Sequence, residues 1–260
     1  MKRMSTTIML LQASLIVISV VLGWYVIAAE LRKPYIIPTP YAVGHELFSS
    51  PLLYIENTLT TCIEAVSGLL LSIVTSFVLT LAMYFYAPCQ RVVLPLSIIV
   101  KATPVVAIAP IVAIWFGPGQ VTKVLMSTLV SFFPILQSTH DGLREVPDGP
   151  RSYVAVLGTT RFRDLRYVRT WFAIRPFASA LKVAAPLAVV GALVAEFVQP
   201  TAGLGTLLVR HIPSADTDVI FAAIACVATI GLSMYWVAVE LENRLLSMAH
   251  LERNELDNNG

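Results

Sequence analysis

Three ionisable residues lie within otherwise apolar stretches and are the first candidates for function: Glu64, Lys101 and Glu196. A charge placed in hydrocarbon costs several kcal/mol unless it is paired or faces water. Glu64 and Lys101 have opposite signs, so they would either form an ion pair between neighbouring helices or line a path for a solute. Glu196 would either anchor its helix at the membrane interface or belong to a gate or an external protein contact.

A second candidate is the segment RSYVAVLGTTRFRDLRYVRTW, residues 151–171, which carries five arginines and one glycine. One interpretation is a basic loop that lies on anionic lipid headgroups, where each Lys or Arg contributes about 1 kcal/mol. The other is a docking element, in which a short exposed helix ending at Gly158 inserts into a cytoplasmic partner. Composition alone leaves both open.

The sequence lacks several motifs that perform bond chemistry. It contains no phosphate-binding G-x-x-x-x-G-K-[ST], no H-E-x-x-H and no G-x-S-x-G. Its four histidines share no ligand spacing, and Cys62, Cys89 and Cys226 have neither metal nor disulfide-framework spacing. We therefore expect no catalytic residue, cofactor, metal or nucleic-acid partner, and an ATP-driven step would need a separate ATPase.

The elements that must position these residues are membrane-spanning helices. The chain has 260 residues, of which 57% are hydrophobic and 13% charged, and its mean hydropathy is +0.76. A helix needs about 20 mostly apolar residues to cross the bilayer. The pattern predicts an all-α polytopic membrane protein with six transmembrane helices, near residues 6–29, 58–86, 93–116, 123–140, 177–197 and 218–240.

The distribution of Lys and Arg predicts the orientation, because short basic loops remain cytoplasmic. With both termini inside, twelve basic residues are cytoplasmic: Lys2, Arg3, Arg91, Arg144, Arg151, Arg161, Arg163, Arg166, Arg169, Arg175, Arg244 and Arg253. Four fall outside: Arg32, Lys33, Lys123 and Arg210. Lys101 and Lys182 lie within helices, and Lys182 is expected to extend to the inner interface. The long loop 141–176 then faces the cytoplasm.

The spans divide the chain into three parts. Residues 1–57 hold the first helix and an external segment, 58–245 form the transmembrane core with the 141–176 loop, and 246–260 form a cytoplasmic tail. Pro95, Pro104 and Pro110 fall in the third span, where proline frees backbone carbonyls that need other partners. The connection QPTAGLG, residues 199–205, is expected to be a flexible external loop.

The sequence resembles a known family, the inner-membrane permease subunits of binding-protein-dependent ABC importers. The similarity is strongest to the branch that handles nitrate, sulfonates, taurine, bicarbonate and pyrimidine precursors of thiamine. It covers some 210 residues and rests on five pieces: IIPTPYAV (36–43), ATPVVAIAPIVAIWFGPG (102–119), FFPILQSTHDGLREVP (132–147), LKVAAPLAVVGALVAEF (181–197) and GLGTLL (203–208).

The family's cytoplasmic loop has a Glu-Ala-Ala motif, three further residues and a glycine. Gly158 falls on that glycine, whereas the motif positions hold Ser152, Tyr153 and Val154, and Trp171 replaces a usual proline. The resemblance implies that residues 152–157 form a coupling helix that docks on the ATPase. The substituted motif changes the polar contact expected there but leaves the docking mode intact.

Two arginines after the glycine complete the predicted coupling site. Arg161 and Arg163, with Arg166, would hold the loop through acidic groups on the ATPase or through lipid phosphates.

The resemblance also implies the partners and the location. These are a cytoplasmic ABC ATPase dimer, an extracytoplasmic binding protein and a second permease copy, all at the plasma (inner) membrane of a bacterium. The solute would be a heterocycle such as a pyrimidine precursor or riboflavin, or an anion of the sulfonate, nitrate or taurine type. Two alternatives from other classes are a stand-alone channel or ion-coupled transporter, and a membrane scaffold whose arginines bind lipid.

Overall fold

The computed structural model describes residues 2–147, 149, 156 and 158–258. Within that part of the chain the regular structure is helical and no strand occurs. The helices are α1 (Lys2–Leu31), α2 (Pro40–Ser49), α3 (Pro51–Phe85), α4 (Ala87–Ala102), α5 (Val105–Phe116), α6 (Gln120–Arg144), α7 (Arg161–Asp164), a π-helical turn (Leu165–Arg169), α8 (Thr170–Val198), α9 (Leu204–His211) and α10 (Thr217–Asn258). The all-α prediction is confirmed.

The described residues contain five helices that are long and apolar enough to cross a membrane: α1, α3, α6, α8 and α10. They correspond to five of the six predicted spans. The remaining span, 93–116, was expected as one helix, and that expectation is wrong. It consists of α4 and α5, whose axes meet at 108°. The pair is a sixth span only if it is counted as one bent unit.

The break between α4 and α5 has a local cause in the sequence. Thr103 precedes Pro104, and the proline ring disfavours helical backbone at the residue before it. Thr103 accordingly has φ −78° and ψ 129°, which is extended backbone. Pro95 and Pro110 lie inside their helices without ending them. Of the three prolines predicted to perturb this span, only Pro104 coincides with its interruption.

The segment 30–57, expected as an external segment with short helical turns, is largely helical. Thr39 caps α2 by accepting a hydrogen bond of 3.2 Å from the Ala42 amide. Prolines begin both α2 and α3, where a missing N–H costs nothing. As a result α3 is 35 residues long and starts at Pro51, seven residues before the predicted span.

The predicted 141–176 loop is shorter than expected. Helix α6 continues to Arg144, and the chain is helical again from Arg161 through the π-helical turn into α8. The arginine-rich residues 161–171 are therefore the start of a membrane helix and not a loop. The connection is confined to the interval 145–160, in which residues 149 and 156 are helical and residues 148, 150–155 and 157 are outside the described part.

Small residues bring the central helices close together. Helices α6 and α8 form the most extensive pair, and α3 and α10 pack beside them. Ala184, Ala188 and Ala192 of α8 are fully buried. A Cβ on Gly191 would lie 2.6 Å from the Cα of Ser127 on α6, which leaves no room for a side chain. This packing mode is usual in membrane bundles, where van der Waals contact replaces the hydrophobic effect between helices.

Candidate functional site

The first feature of the site is a buried ion pair between α3 and α6. Lys123 Nζ lies 3.0 Å from Glu64 Oε1, and both side chains are 2% exposed. Glu64 was expected either to pair with Lys101 or to line a path for a solute, and in this structure its partner is Lys123 rather than Lys101. Lys123 was placed in an external loop, but it belongs to the first turn of α6, which packs directly against α3. A solute has no access to Glu64 in this conformation.

Glu196 forms the second half of the same cluster. It is completely buried, so it is not the interfacial anchor that its position at the end of α8 suggested. Its Oε1 accepts a 2.7 Å hydrogen bond from Thr61 of α3, and its Oε2 accepts one from the Gly205 amide. Thr61 in turn accepts from the Leu204 amide at 2.9 Å. A carboxylate and a hydroxyl thus satisfy amides of the first turn of α9.

The connection between α8 and α9 is held in place by the cluster. Lys123 donates a 2.7 Å hydrogen bond to the Ala202 carbonyl, and the Gly203 amide donates to Asn57 at 2.9 Å. The connection was expected to be flexible, but these contacts tie it to α3 and α6. Charges that are expensive to bury are therefore offset by each other and by backbone groups of the connection.

The glycines of this connection are required by the Glu196 carboxylate. Gly203 has φ +107°, a backbone conformation that residues with a Cβ rarely adopt. A Cβ on Gly203 would collide with the Glu196 carboxylate, and one on Gly205 would come within 2.8 Å of Glu196 Oε2. The short GLG sequence is therefore matched to a carboxylate that lies on another helix.

Lys101, the third predicted site residue, is separate from this cluster. It lies at the end of α4, is exposed and lines a cavity of about 440 Å³ between α4, α6 and α8. Lys182, which was expected to extend to the interface, instead binds Glu242 of α10 with a nitrogen–oxygen distance of 2.5 Å. The structure thus brings Glu64 and Glu196 together and leaves Lys101 on a polar cavity.

At the opposite, predicted cytoplasmic end, a polar clamp holds the start of the arginine-rich helix. The Tyr84 hydroxyl of α3 donates to Asp164 Oδ2 at 2.9 Å, and Arg169 Nε donates to the same oxygen at 2.6 Å. Arg169 also donates to the Leu143 carbonyl at the end of α6 and lies over the Tyr84 ring, 5.4 Å from its centroid. The clamp joins α3, α6 and the entry to α8.

Of the predicted coupling residues, the structure describes Gly158, Arg161 and Arg163. Gly158 has φ +58°, as a left-handed stop requires, and a Cβ there would have open space around it. Arg161 donates to the Phe85 carbonyl at 3.4 Å, whereas Arg163 is exposed without a partner in the described part of the chain. Ser152, Tyr153 and Val154 lie outside the described residues.

Sequence reasoning missed Lys123, Tyr84 and Asp164. The sequence did contain a clue to the role of Asp164, because it is the one acidic residue in 151–171, a segment with five arginines. Lys123 had a weaker one, since it interrupts two long uncharged intervals just after the FGPGQ turn. Tyr84 had none, because an aromatic residue near the end of a span is ordinarily an interfacial anchor.

A comparison with family models identifies the chain. The model described as "Binding-protein-dependent transport system inner membrane component" matches residues 52–247. The chain belongs to this family. The resemblance seen in the sequence is confirmed, and the protein is a multi-pass membrane permease subunit rather than an enzyme. In this family ATP hydrolysis resides in a separate subunit, and the transport system includes a binding protein.

Relatives cover nearly the whole permease. An ABC transporter permease protein of Haemophilus influenzae is 35% identical over 230 residues, 88% of this chain and 94% of the relative. The formylaminopyrimidine transport permease ThiX of Halalkalibacterium halodurans is 30% identical over 91% of this chain and 95% of its own length. The riboflavin permease RibX of Chloroflexus aurantiacus is 33% identical over 82% of this chain and 80% of its own length.

A solved structure shares the fold. A chain of the MetNI methionine ABC transporter, in an inward-facing conformation, matches with a TM-score of 0.66 at 14% identity. It covers 76% of this permease and 98% of that chain. At this identity the match describes the helical architecture alone.

Proposed function

We propose that this permease forms, with a second copy of itself, the path by which a small polar solute enters a bacterial cell across the plasma membrane. A binding protein outside delivers the solute, and two ATPase subunits inside drive the change between outward and inward access. Both termini are cytoplasmic in this arrangement. The family match to residues 52–247 supports it.

The observation that carries the proposal is the clamp at the base of α8. Tyr84, Asp164 and Arg169 fix residues 161–169 to the ends of α3 and α6. A force applied to the preceding connection, which contains Gly158, is therefore passed to three membrane helices at once. A basic loop that only binds lipid has no need of such a rigid attachment.

The solute belongs to one of two classes. Relatives carry names that refer to formylaminopyrimidine and riboflavin, and others to taurine and aliphatic sulfonates. The predicted path residues have different parts in this proposal. Lys101 lines the path, whereas Glu64 and Glu196 hold the outer ends of the helices that enclose it. The core 58–245 carries all of these functions, and residues 1–57 and 246–260 flank it.

The experiment is to purify the permease with its ATPase and to measure ATP hydrolysis in proteoliposomes that contain loaded binding protein. The test variant is Gly158→Val. Valine is strained at φ +58°, although a side chain meets no neighbour there, so the coupling helix is misdirected without loss of packing. We expect the complex to assemble and its stimulated ATPase activity to fall at least about tenfold.

Gly149→Val is the matched control. Gly149 lies in the same connection and also has open space around its Cβ, but its backbone is not left-handed. The Gly149→Val complex should retain the ATPase stimulation by loaded binding protein. Wild-type stimulation in Gly158→Val would overturn the coupling role of this loop, and solute flux without any ATPase would favour a stand-alone channel.

A further inference from the structure

We propose that the cavity at Lys101 accepts a small solute without net charge that offers both hydrogen-bond donors and acceptors, and that it does not accept a simple anion. The inference rests on the proposed function, because it assigns the solute class of that transport path.

Four polar side chains without a partner among the described residues line the cavity from two helices, and a fifth, Ser179 of α8, donates to Glu242 at 2.9 Å. Lys101 comes from the end of α4, and Gln137, Ser138 and Asp141 come from the inner half of α6. In the described part of the chain none of these four side chains has a hydrogen bond or an ion-pair partner. Donors and acceptors that remain free on a concave surface are available to a ligand.

The size and polarity of the cavity suit a small polar ligand. Its volume of about 440 Å³ falls in the range of roughly 300–1,000 Å³ that is usual for small-molecule sites. A second cavity, of about 570 Å³ between α1 and α10, is different, because its lining includes Trp24, Phe221 and Ile224 and is almost wholly apolar. That cavity offers a polar solute almost nothing to bind.

The charges of the polar cavity balance. Lys101 supplies one positive charge and Asp141 one negative charge, and no ion pair within 4 Å joins them among the described residues. Among the adjoining charges, Lys182 and Glu242 form an ion pair beside Ser179, and Arg175 also interacts with the Glu242 carboxylate. An anion would be attracted by Lys101 and repelled by Asp141, with little net gain.

Hydrogen-bonding chemistry agrees with the charge balance. The ammonium donates, the carboxylate accepts, and the amide and the hydroxyl do both. Heterocycles with ring nitrogens, amino groups and carbonyls present this mixture, and so do zwitterions. A nitrate or an alkanesulfonate presents acceptors only and would leave Asp141 unmatched.

The first experiment measures the sign of the potential in the cavity. Ser138→Cys is made in a background without Cys62, Cys89 and Cys226, in the complex with the ATPase. Its reaction rates with a cationic and an anionic methanethiosulfonate reagent of similar size are compared with those of a free thiol. We expect both to react, with a rate ratio within about fivefold of the free-thiol ratio.

Two variants test whether the charges of Lys101 and Asp141 determine this rate ratio. Asp141→Asn should shift the ratio about tenfold towards the anionic reagent, and Lys101→Gln should shift it by a similar factor towards the cationic one. A preference beyond fivefold for either reagent in the parent would overturn the inference. Absence of any reaction would overturn it too, because the cavity would then be closed to water.

The second experiment tests the solute class itself. Binding protein is loaded with riboflavin, an aminopyrimidine, an alkanesulfonate or nitrate, and stimulated ATPase activity is measured with each. Stimulation by an uncharged compound supports the inference, and stimulation by nitrate or the sulfonate overturns it. If no ATPase assembles with the permease, the proposed function fails by itself, whereas the reagent ratio still reports the charge of the cavity.

Discussion

Lys123 shows how a buried charge is accommodated in this bundle. Its ammonium is in contact with the Glu64 carboxylate at 3.0 Å and with the Ala202 carbonyl at 2.7 Å, and its side chain is 2% exposed. A buried pair of this kind adds little net stability, but removal of one partner leaves an uncompensated charge in a medium of low polarity. The main effect of the Glu64–Lys123 pair is to specify which helix ends meet.

We expect Lys123→Met to lower the free energy of unfolding by about 3–5 kcal/mol, because it strands the Glu64 carboxylate. The double variant Glu64→Gln, Lys123→Met should recover much of that loss, since neither charge remains. Thermal or denaturant unfolding of the purified permease in detergent measures both. Lys101→Met is the control, and at its exposed position it should change stability by less than about 0.5 kcal/mol. Equal losses in the single and double variants would contradict the paired arrangement.

Gly203→Ala should destabilise the permease for two reasons, and both arise from the new Cβ. The new Cβ meets the Glu196 carboxylate, and the backbone angle of +107° is unfavourable for alanine. We expect a loss of about 2 kcal/mol or more in detergent unfolding experiments. Gly44→Ala is the control, because that glycine lies within α2 with open space around its Cβ. If both variants unfold alike, Gly203 does not serve the Glu196 carboxylate.

At the scale of elements, the π-helical turn Leu165–Arg169 links the clamped residues to α8. Wider turns of this kind are rare and often occur at functional positions. Here the turn places Arg169 where it reaches both Asp164 and the Leu143 carbonyl of α6. Exposed Phe162 and Tyr167 lie on the same segment and remain available for a partner or for the membrane interface.

The clamp should be needed for coupling rather than for folding. Asp164→Asn removes the charge that holds Arg169, and Tyr84→Phe removes a hydrogen bond to the same carboxylate. We expect each variant to assemble with the ATPase and to transport several-fold less solute per ATP hydrolysed. Flux and phosphate release, measured together in proteoliposomes, give this ratio. Tyr86→Phe, at a neighbouring residue that is 69% exposed, should leave the ratio unchanged. A normal ratio in the two clamp variants would remove the clamp from the coupling path.

At the scale of the whole molecule, large apolar side chains cover the outer faces of several helices. They include Leu15, Leu70, Val78 and Trp236, each more than half exposed. In water such surfaces would cause aggregation, but in a membrane hydrocarbon covers them. The buried cluster at Lys123 and the partly exposed clamp at Leu143 lie at opposite ends of this apolar belt, because these two residues lie at opposite ends of α6.

The predicted orientation can be measured in intact cells. In a background free of cysteine, Ser214→Cys should react from outside with a reagent that does not cross membranes. Arg163→Cys should react only after permeabilisation, because the basic connections are retained in the cytoplasm. Both residues are exposed, so a difference reports the side of the membrane and not burial. The reverse pattern would invert the assignment of the two ends.

Most of the helices could be predicted because length and hydropathy are local properties of the chain. Five spans followed from runs of residues that need no knowledge of their neighbours in space. The backbone at Gly158, the expected end of the coupling helix, is left-handed, as is common for a glycine that follows a helix. The break at Pro104 also has a local cause in the sequence. Its position could not be predicted, because the span contains three prolines.

The partners of the charged side chains were decided by tertiary structure. Glu64 and Lys123 are 59 positions apart, and Thr61 and Glu196 are 135 apart. Which of several charges meet depends on the rotation and depth of each helix, and small residues such as Gly191 determine these by setting how closely α6 and α8 approach. The sequence alone therefore determined that charges lie within the membrane helices. The packing decided that Glu64 pairs with Lys123, that Glu196 binds an amide at the start of α9 and that Lys101 remains on a cavity, because a buried charge takes the partner that packing brings within reach.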